Sequence, residues 1–550
     1  MSSCPSCANP VPAGSRFCPT CGFALAASMI EERRVVTVLF ADLVGFTSLS
    51  EHLDPEQVKR LVDACFEGLV EDITAFGGTV DKFVGDGIVA LFGVPVAHED
   101  DAERAVRAGL RMQDTLAEFA TSRVASDAAK TLRIRIGINT GVALVGTVAG
   151  TDHTAMGDVV NTASRLQTLA PPGGVLVGES THGLTSSSID YEAIGDLAAK
   201  GREAPVPAWL ARVAVAQPGA RHRRRDVAIM GRSTELALAV ATVDFSVANA
   251  QAALMAVDGE GGVGKSRLVD ELVAAVKQRQ SALVLEGAAV PYGQSNVWWP
   301  IATALFDKLE LDPSASQETV REVALHRGRE LFGADDEIVL KQLADAFQHL
   351  LGYPSKLDEF DPQAARDAVG RAVTLVLERR LRSGPVLLSI TDVHWADPAV
   401  LALCEHLLIA LARTPFVLVT TNRPDPELVW PPLSTRAAVV RLPLEPLGPI
   451  SAAQMCRAII GADADDATIR TIYERSGGNP LFLEELAVLV AEGGDVTALP
   501  DSLRAVIAAR LDQLPPDQRL VLDNAAILGP SGQLRSLERF ADALGQTMSP

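Results

Sequence analysis

The sequence has no surplus of positive charge. It contains 49 lysines and arginines against 69 aspartates and glutamates in 550 residues, a formal net charge of −20. Phosphate backbones and anionic membrane surfaces attract net basic faces, so this balance argues against a general binder of nucleic acids or of membrane surfaces. It leaves room for a small basic module.

A leader segment and a long apolar run are also missing. The N-terminus lacks the basic stretch followed by an apolar stretch that marks a signal peptide. The longest uncharged run, 287–306, contains Pro291, Gln294, Asn296 and Pro300 and does not have the composition of a membrane span. We therefore expect a soluble, cytoplasmic protein without a membrane partner.

Cysteine is scarce after the first 21 residues. Cys65, Cys404 and Cys456 are isolated in apolar surroundings, which predicts buried small hydrophobic side chains. This distribution is not that of a secreted disulfide framework. The remaining four cysteines form two C-x-x-C turns, and they are Cys4, Cys7, Cys18 and Cys21.

These two turns predict a structural zinc site over residues 1–28. Zinc takes four thiolates at tetrahedral corners, and each turn supplies two. A segment this short cannot hold a core without a metal, and four protein ligands leave no open position for catalysis. Two disulfides or a redox dithiol are the alternatives. The segment resembles the zinc ribbons found at the front of bacterial multidomain proteins.

Length and pattern predict a multidomain α/β protein. At roughly 150 residues per domain, the chain has room for three or four domains. Strand-like and helix-like stretches alternate over 33–213 and again over 231–447. A polar, basic stretch at 214–230 has the composition of a linker, and helical periodicity dominates 448–550.

Two carboxylates follow strand-like runs in the first α/β domain. Asp42 ends a β-branched run, and the loop behind it, with Phe46 and Thr47, could present backbone N–H groups to phosphate. Asp86 lies at the tip of a predicted hairpin, Gly85-Asp86-Gly87. Carboxylates at the ends of neighbouring strands predict a site for two Mg²⁺ ions. The alternative for Asp86 is a simple turn-forming residue.

A predicted helix at 157–169 adds a third element. Asn161 and Arg165 are four residues apart and therefore share one face. Such a pair could orient a sugar and stabilise charge on a phosphoryl transition state. A polar surface face is the alternative.

Four motifs occur in the order seen in class III nucleotidyl cyclases, a family that residues 33–213 resemble. They are F-A-D-L-V-G-F-T (40–47), K-F-V-G-D (82–86), G-I-N-T-G (137–141) and G-D-V-V-N-T-A-S-R-L (157–166). The resemblance implies a ferredoxin-like α/β domain that dimerises head to tail. It also implies that ATP or GTP is cyclised by attack of the ribose 3′-OH on the α-phosphorus, with release of pyrophosphate.

The resemblance further implies a role for each motif residue. Asp42 and Asp86 would hold two Mg²⁺ or Mn²⁺ ions, and Lys82 would read the purine. Asn161 and Arg165 would position the ribose and stabilise the transition state. Lys200 resembles the lysine that contacts the triphosphate. In the family the metal carboxylates come from one protomer and the purine and transition-state residues from the other, which predicts a homodimer with two equivalent sites.

The choice of base depends on Lys82 and Thr154. A lysine ammonium can donate to N1 of adenine, and an oxygen can accept from the N6 amine. Thr154 stands where many relatives carry Asp, but a hydroxyl can still accept, and one subgroup of the family has Thr there. We therefore favour ATP over GTP.

The second α/β domain carries a P-loop. An apolar strand at 253–258 leads into G-E-G-G-V-G-K-S, which runs from Gly259 through Gly264 and Lys265 to Ser266. Glycines let backbone N–H groups surround the phosphates, the lysine reaches the β- and γ-phosphates, and the serine binds Mg²⁺. The pattern predicts a second site for ATP and Mg²⁺.

Residues 231–510 resemble the AAA-related signalling ATPases of the STAND type. The resemblance implies Asp392 at the metal, Arg423 as a sensor arginine and Pro480 beside the adenine. Relatives usually have two acids before His-Trp, but here the first position is Thr391. A neutral hydroxyl supports Mg²⁺ more weakly. We therefore hypothesise a nucleotide-gated switch rather than a fast ATPase.

Together these patterns predict a signalling adenylate cyclase whose output is tuned by an attached NTPase and by the zinc ribbon. An unidentified signalling protein is a further expected partner. The alternative is a STAND-type switch whose cyclase domain is weak or serves for dimerisation. A STAND-type transcription regulator is a further alternative, but no helix-turn-helix with a basic recognition face is visible. The segment from Leu499 resembles the start of a winged helix, and we expect the helical repeats of relatives to be missing.

Overall fold

The computed structural model describes the greater part of the chain. The described residues are 2–3, 10–11, 32–44, 55–121, 132–148, 151–197, 206–215, 228–279, 282–289, 296–309, 311, 316–333, 337–423 and 437–496, with isolated positions after 500. The chain divides into two compact units, one formed by 1–221 with 501–550 and the other by 222–500. Each unit has its own main sheet and its own cores.

Several residues that the sequence singles out lie outside the described part. They are Cys4, Cys7, Cys18, Cys21, Phe46, Thr47 and Lys200. Near the cysteines, β1 (Ser2–Ser3) and β2 (Pro10–Val11) pair in antiparallel fashion. The zinc site therefore stays a prediction.

The first unit is built on an eight-stranded sheet. Its strands are β3 (Glu32–Val44), β4 (Thr79–Val84), β5 (Gly87–Phe92), β6 (Arg133–Val148), β7 (Thr151–Met156), β8 (Val175–Gly178), β9 (Ile189–Leu197) and β10 (Val206–Ala214). Their order is β4-β5-β3-β6-β8-β10-β9, and β7 pairs with β6. Its helices are α1 (Pro55–Ala75), α2 (Asp101–Thr121), α3 (Asp158–Leu169) and α4 (Glu179–Thr185).

Helices cover both faces of this sheet, and the alternation of side chains along β3 explains why. Leu39 and Leu43 point to one face and join a core with residues of α1 and α2. Val36 and Val38 point to the other face and pack with Val159 of α3. Because successive strand residues face opposite sides, a nearly continuous β-branched and apolar run is buried on both.

The hairpin between β4 and β5 confirms the prediction made from its glycines. Gly85 has φ of +64°, the left-handed region that a two-residue turn with glycine first requires. Asp86 occupies the second position of the turn. The turn thereby holds Asp86 at the end of the hairpin that lies next to Asp42 of β3.

The second unit has a five-stranded parallel sheet. Its strands are β11 (Ala253–Asp258), β12 (Leu283–Ala288), β13 (Val386–Thr391), β14 (Phe416–Asn422) and β15 (Ala438–Pro443), in the order β12-β13-β14-β11-β15. Its helices are α5 (Ser233–Asn249), α6 (Lys265–Arg279), α7 (Trp299–Leu309), α8 (Gln317–Phe332), α9 (Glu337–Leu350), α10 (Pro362–Leu381), α11 (Pro398–Ala410), α12 (Pro449–Ile460), α13 (Asp466–Ser476) and α14 (Pro480–Ala491). Separate apolar cores lie on the two faces of the sheet.

The three isolated cysteines are buried, as predicted. Burial raises the pKa of the Cys65 and Cys456 thiols to about 11 and that of Cys404 to about 12. Such thiols stay neutral at physiological pH and act as small apolar side chains. In the described part of the chain, no helix is long and apolar enough to cross a membrane.

Candidate functional sites

The first site begins with two carboxylates on neighbouring strands. In the register of β3 and β5, Asp42 lies opposite Gly87, and the backbone N–H of Leu43 donates to the carbonyl of Asp86 at 3.2 Å. A Cβ on Gly87 would lie 2.9 Å from the carbonyl oxygen of Ala41, so glycine permits this close pairing. The sequence predicts that Asp42 and Asp86 lie close together. The strand register agrees, because Asp42 lies opposite the residue that follows Asp86.

The electrostatics of this pair favour a bound cation. Burial raises the pKa of Asp42, and the nearby charge of Asp86 raises it further. A hydrogen bond from Gln167 and the charge of Arg135 act in the opposite direction without cancelling the effect. Since burial and Asp86 disfavour the ionised form of Asp42, a divalent cation would stabilise that form beyond what Arg135 and Gln167 provide.

The donor set also fits a hard metal ion such as Mg²⁺ or Mn²⁺. Carboxylate oxygens are the ligands that these ions prefer, and Mg²⁺ usually keeps several positions for water and substrate phosphates. Over the described ranges, no group of three or more His, Cys, Asp or Glu side chains is placed to hold a metal. Asp42 and Asp86 would therefore hold metal together with phosphate oxygens and water.

A second cluster surrounds the lysine that the sequence assigned to the base. Lys82 Nζ donates to Thr154 Oγ1 at 3.1 Å and lies 3.0 Å from Asp81 Oδ2. Thr154 lies on β7, opposite Gly146 of β6, and is buried. The structure thus joins the two residues on which the choice of base was argued.

Helix α3 is held against the sheet through a glycine. A Cβ on Gly137 of β6 would collide with the backbone nitrogen of Gln167 and the carbonyl oxygen of Ala163. This close contact of helix and strand lets the Gln167 side chain bond to Asp42. Asn161 is exposed and Arg165 half-buried on the same helix, and within the described residues neither is bonded to the two carboxylates or to Lys82.

Sequence reasoning missed three residues of these clusters. Arg135 lies opposite Asp42 in the register of β3 and β6, and Gln167 reaches Asp42 from α3. Asp81 contacts both Lys82 and Thr154. For Asp81 and Gln167, the sequence offered one indication of a role in the site. Asp81 is next to Lys82, and Gln167 is two residues after Arg165.

The second site is the P-loop, which lies between β11 and α6 as predicted. Gly262 and Gly264 have φ of +80° and +99°, values that other residues rarely adopt. Lys265 is buried, and its Nζ donates to the carbonyls of Gly259 at 2.6 Å and Glu260 at 2.9 Å. Ser266 follows in the first turn of α6, whose N-terminus favours an anion.

Residues of the motif from Gly477 to Leu481 are hydrogen-bonded to the P-loop. The Asn479 side chain donates to the carbonyl of Gly261 at 3.0 Å, and the N–H of Leu481 donates to the carbonyl of Gly262 at 3.2 Å. Asn479 also caps α14 by accepting from the N–H of Leu481. Pro480, which the sequence placed beside the adenine, therefore lies between two residues that contact the P-loop.

The other residues assigned to this site follow adjacent strands. Asp392 follows β13 with φ of +55°, an uncommon value for a residue other than glycine, and its N–H donates to Thr421 Oγ1 at 2.9 Å. Gly259 is joined to β14, since its N–H donates to the carbonyl of Asn422 at 3.2 Å. Arg423 follows directly, so the strand ends bring Asp392 and Arg423 to the edge of the sheet that carries the P-loop.

Two family models match the chain in this order. Residues 29–212 match the catalytic domain of adenylate and guanylate cyclases, and residues 228–419 match the AAA ATPase domain. The chain therefore contains a class III cyclase catalytic domain followed by an AAA ATPase domain.

Individual relatives share one or both parts. An uncharacterized protein R02095 of Rhizobium meliloti is 31% identical over 546 residues, which are 94% of this chain and 50% of that protein. Adenylate cyclase 1 of the same organism is 35% identical over 175 residues, 31% of this chain and 26% of that protein. The chain thus spans about half and a quarter of these two relatives. The adenylyl cyclase CyaB from P. aeruginosa is 31% identical, with a TM-score of 0.31, over 36% of this chain and 100% of the solved one.

Proposed function

We propose that the protein is an adenylate cyclase that converts ATP to 3′,5′-cyclic AMP and pyrophosphate. The observation that carries this proposal is the pair Asp42 and Asp86 in the cyclase domain, where burial and then the charge of Asp86 raise the pKa of Asp42. Among the described residues no third His, Cys, Asp or Glu completes a metal site beside them, and such a pair favours metal ions that arrive with a polyphosphate.

The chemistry follows from what these residues can do. Bound metal ions would lower the pKa of the ribose hydroxyl and neutralise phosphate charge. Asp42 and Asp86 would hold the metal, while Asn161 and Arg165 would orient the ribose and offset charge on the transferring phosphoryl group. Positioning and electrostatics therefore account for the catalysis, and the protein forms no covalent bond to the nucleotide.

Adenine is the favoured base because of the cluster at Lys82. The ammonium can donate to N1, and the Thr154 hydroxyl can accept from the N6 amine. Both groups are already within hydrogen-bond distance of each other, so binding of the base requires little ordering of the lysine chain.

The active unit would be a homodimer with shared sites. Apolar side chains are exposed on β4 and on the arm formed by β6 and β7, and they are Phe83, Val84, Val142, Leu144 and Met156. Exposed apolar groups on neighbouring strands favour contact with a second protein surface. A second copy could bring its Asn161 and Arg165 to the carboxylates of the first.

The AAA ATPase domain would act as a nucleotide-gated regulator of this activity. Lys265 and Ser266 would bind ATP and Mg²⁺, and Asp392 and Arg423 would respond to the γ-phosphate. Thr391 in place of an acid favours slow turnover. Phosphate release at the rate of a working ATPase, lost in Lys265→Ala, would contradict this role.

Production of cyclic nucleotide tests the main proposal. Wild type, Asp86→Ala and the control Asp190→Ala are assayed with ATP and with GTP in Mg²⁺ and in Mn²⁺. Asp190 is exposed on β9, at the opposite edge of the sheet from β4. We expect cyclic AMP from wild type and control and a loss of about 1,000-fold in Asp86→Ala. Equal activity in all three chains, or none in wild type, would refute it.

Complementation tests the shared site. Asp42→Ala and Asn161→Ala chains are each inactive alone, but a mixture should regain up to about a quarter of wild-type activity, because a random heterodimer has one intact site. A mixture shown to form heterodimers and still inactive would rule out sharing. A chain active as a monomer would do the same.

A further inference from the structure

Three polar atoms meet beside the proposed base site, and one of them belongs to a residue with no assigned role. Asp81 Oδ2 lies 3.0 Å from Lys82 Nζ and accepts from Thr154 Oγ1 at 3.2 Å. Lys82 Nζ in turn donates to Thr154 Oγ1 at 3.1 Å. The three side chains form a closed triangle.

A β-bulge makes this triangle possible. Neighbouring residues of a regular strand point to opposite faces of the sheet, so Asp81 and Lys82 would not normally meet. The register of β4 against β5 shifts between Val80 and Lys82, which leaves Asp81 as the extra residue. A bulge of this kind changes the direction of a side chain.

Asp81 and Lys82 differ in burial, and this difference indicates different roles. The Asp81 side chain is 3% exposed, whereas that of Lys82 is 48% exposed. Asp81 Oδ1 is buried and has no hydrogen-bond partner in the described part of the chain. Burying an incompletely satisfied carboxylate costs free energy, so a purely structural role would be served better by a neutral residue.

The triangle fixes the direction of every hydrogen bond in it. An ionised carboxylate can only accept, and an ammonium can only donate. The single proton of the Thr154 hydroxyl therefore goes to Asp81, and Thr154 accepts one proton from Lys82. What remains for a ligand is one lone pair on Thr154 and one N–H of Lys82.

We propose that Asp81 is the positioning residue that makes Thr154 an obligate acceptor and thereby selects adenine over guanine. This inference rests on the proposed cyclase function. Adenine offers the Thr154 oxygen an amine donor at position 6. Guanine has a carbonyl oxygen there, which would face the Thr154 lone pair and repel it. Without Asp81 the hydroxyl could rotate and donate to that carbonyl.

The ratio of kcat/KM for ATP to that for GTP tests the proposal. In the full chain, Asp81→Asn should lower this ratio about tenfold, through a higher KM for ATP and a lower KM for GTP with kcat changed less. Asp190→Asn at the opposite edge of the sheet is the control and should leave the ratio unchanged. Because the amide oxygen of asparagine can still accept from the Thr154 hydroxyl, Asp81→Ala is measured beside it, and an unchanged ratio in a folded Asp81→Ala chain would overturn the proposal.

A double-mutant cycle separates this role from a structural one. Thr154→Val removes the hydroxyl at nearly constant shape and should lower the ratio by itself. Adding Asp81→Asn to Thr154→Val should then have no further effect on the ratio, because Asp81 acts through the hydroxyl. Additive effects would overturn the proposal. If Asp81→Ala does not fold, Thr154→Val with an unchanged ratio overturns it equally.

Binding without turnover distinguishes this inference from the proposed function. The α,β-methylene analogues of ATP and GTP cannot be cyclised, and Lys265→Ala in every chain removes the P-loop lysine. A wild type that makes no cyclic nucleotide would refute the proposed function. In such a chain, a preference for the ATP analogue that Asp81→Ala lowers about tenfold would still support the role of Asp81. A preference unaffected by the substitution would refute it.

Discussion

The two proposed nucleotide sites of this chain differ in the charge that they present to a polyphosphate. In the cyclase domain, Asp42 and Asp86 repel each other, and the pKa of Asp42 is raised. In the AAA ATPase domain, the Lys265 ammonium donates to the carbonyls of Gly259 and Glu260. The carboxylate pair carries negative charge that Arg135 offsets only in part, and the P-loop lysine carries a positive charge that is already hydrogen-bonded to its own backbone.

Because of this difference, we expect the two sites to depend on different steps when a nucleotide binds. The carboxylate pair gains from a cation before any phosphate can approach, so metal binding should govern occupancy of the cyclase site. The P-loop lysine must exchange its carbonyl contacts for phosphate oxygens, so nucleotide binding there is coupled to a rearrangement of the loop. The net charge of −20 makes local cations necessary at both sites.

Among the variants that test this comparison, the largest effect is expected for the P-loop lysine. Lys265→Ala should weaken ATP binding at the P-loop about 100-fold, because a charge-assisted contact to the phosphates is lost. Equilibrium dialysis of the labelled α,β-methylene analogue of ATP, which the proposed cyclase cannot convert, should then show one site per chain instead of two. The matched control is Lys277→Ala on the same helix, whose exposed ion pair with Glu286 has no part in the loop. If Lys265→Ala retained both sites, the proposed role of the Lys265 ammonium in binding the nucleotide would be wrong.

A smaller effect is expected at the carboxylates. A carboxylate whose folded-state pKa is raised is destabilising when ionised. This cost is fully present above that pKa and is lost as the pH falls through it toward the unfolded-state value. Asp42→Asn should therefore raise the metal-free melting temperature of the cyclase domain at neutral pH by about 2 °C. It should also abolish the stabilisation that Mn²⁺ gives to wild type. Differential scanning fluorimetry with and without Mn²⁺ measures both.

The comparison depends on the sign of this change. If Asp42→Asn lowers the melting temperature without metal, the ionised Asp42 side chain stabilises the folded protein. The proposed difference in charge between the two sites would then be wrong. Asp190→Asn, far away on the exposed edge strand, should behave like wild type in both conditions.

The smallest effect concerns the contact between Asn479 and the P-loop. Asn479→Ala removes both the helix cap and the bond to Gly261, at a cost of about 1–2 kcal/mol. Asn479→Asp keeps the capping oxygen and loses only the amide donor. We expect faster release of bound nucleotide in both variants but a lower urea midpoint mainly in Asn479→Ala. Unchanged release rates would show that this contact does not restrain the loop.

Local chemistry explains which features could be predicted from the sequence. The hairpin at Gly85 and the loop at Gly264 require backbone conformations that few residues other than glycine adopt, so the residues themselves mark the structure. The strand at 253–258 is short and apolar, and the sequence predicts it with the bounds that β11 has. Asp42 and Asp86 were expected together because each ends a strand.

Other features depend on contacts between different helices, strands and loops, and the sequence pattern does not show which residues will be partners. Gln167 reaches Asp42 only because α3 crosses β6 at Gly137. Asp81 meets Lys82 only because β4 contains a bulge, and a regular strand would have separated them. The contact from Asn479 to Gly261 joins residues 218 positions apart. In each case the residue types were visible, but the partner was not.

The crossing at Gly137 makes the cyclase domain sensitive to a single methyl group. Any side chain there would act as a wedge between β6 and α3, since it would meet backbone on both sides of the helical turn. Lifting the helix would carry Asn161 and Arg165 away together while leaving every functional side chain intact. Residue 137 is thus a place where the enzyme could be switched off by spacing alone, with its charges and its ligands unaltered.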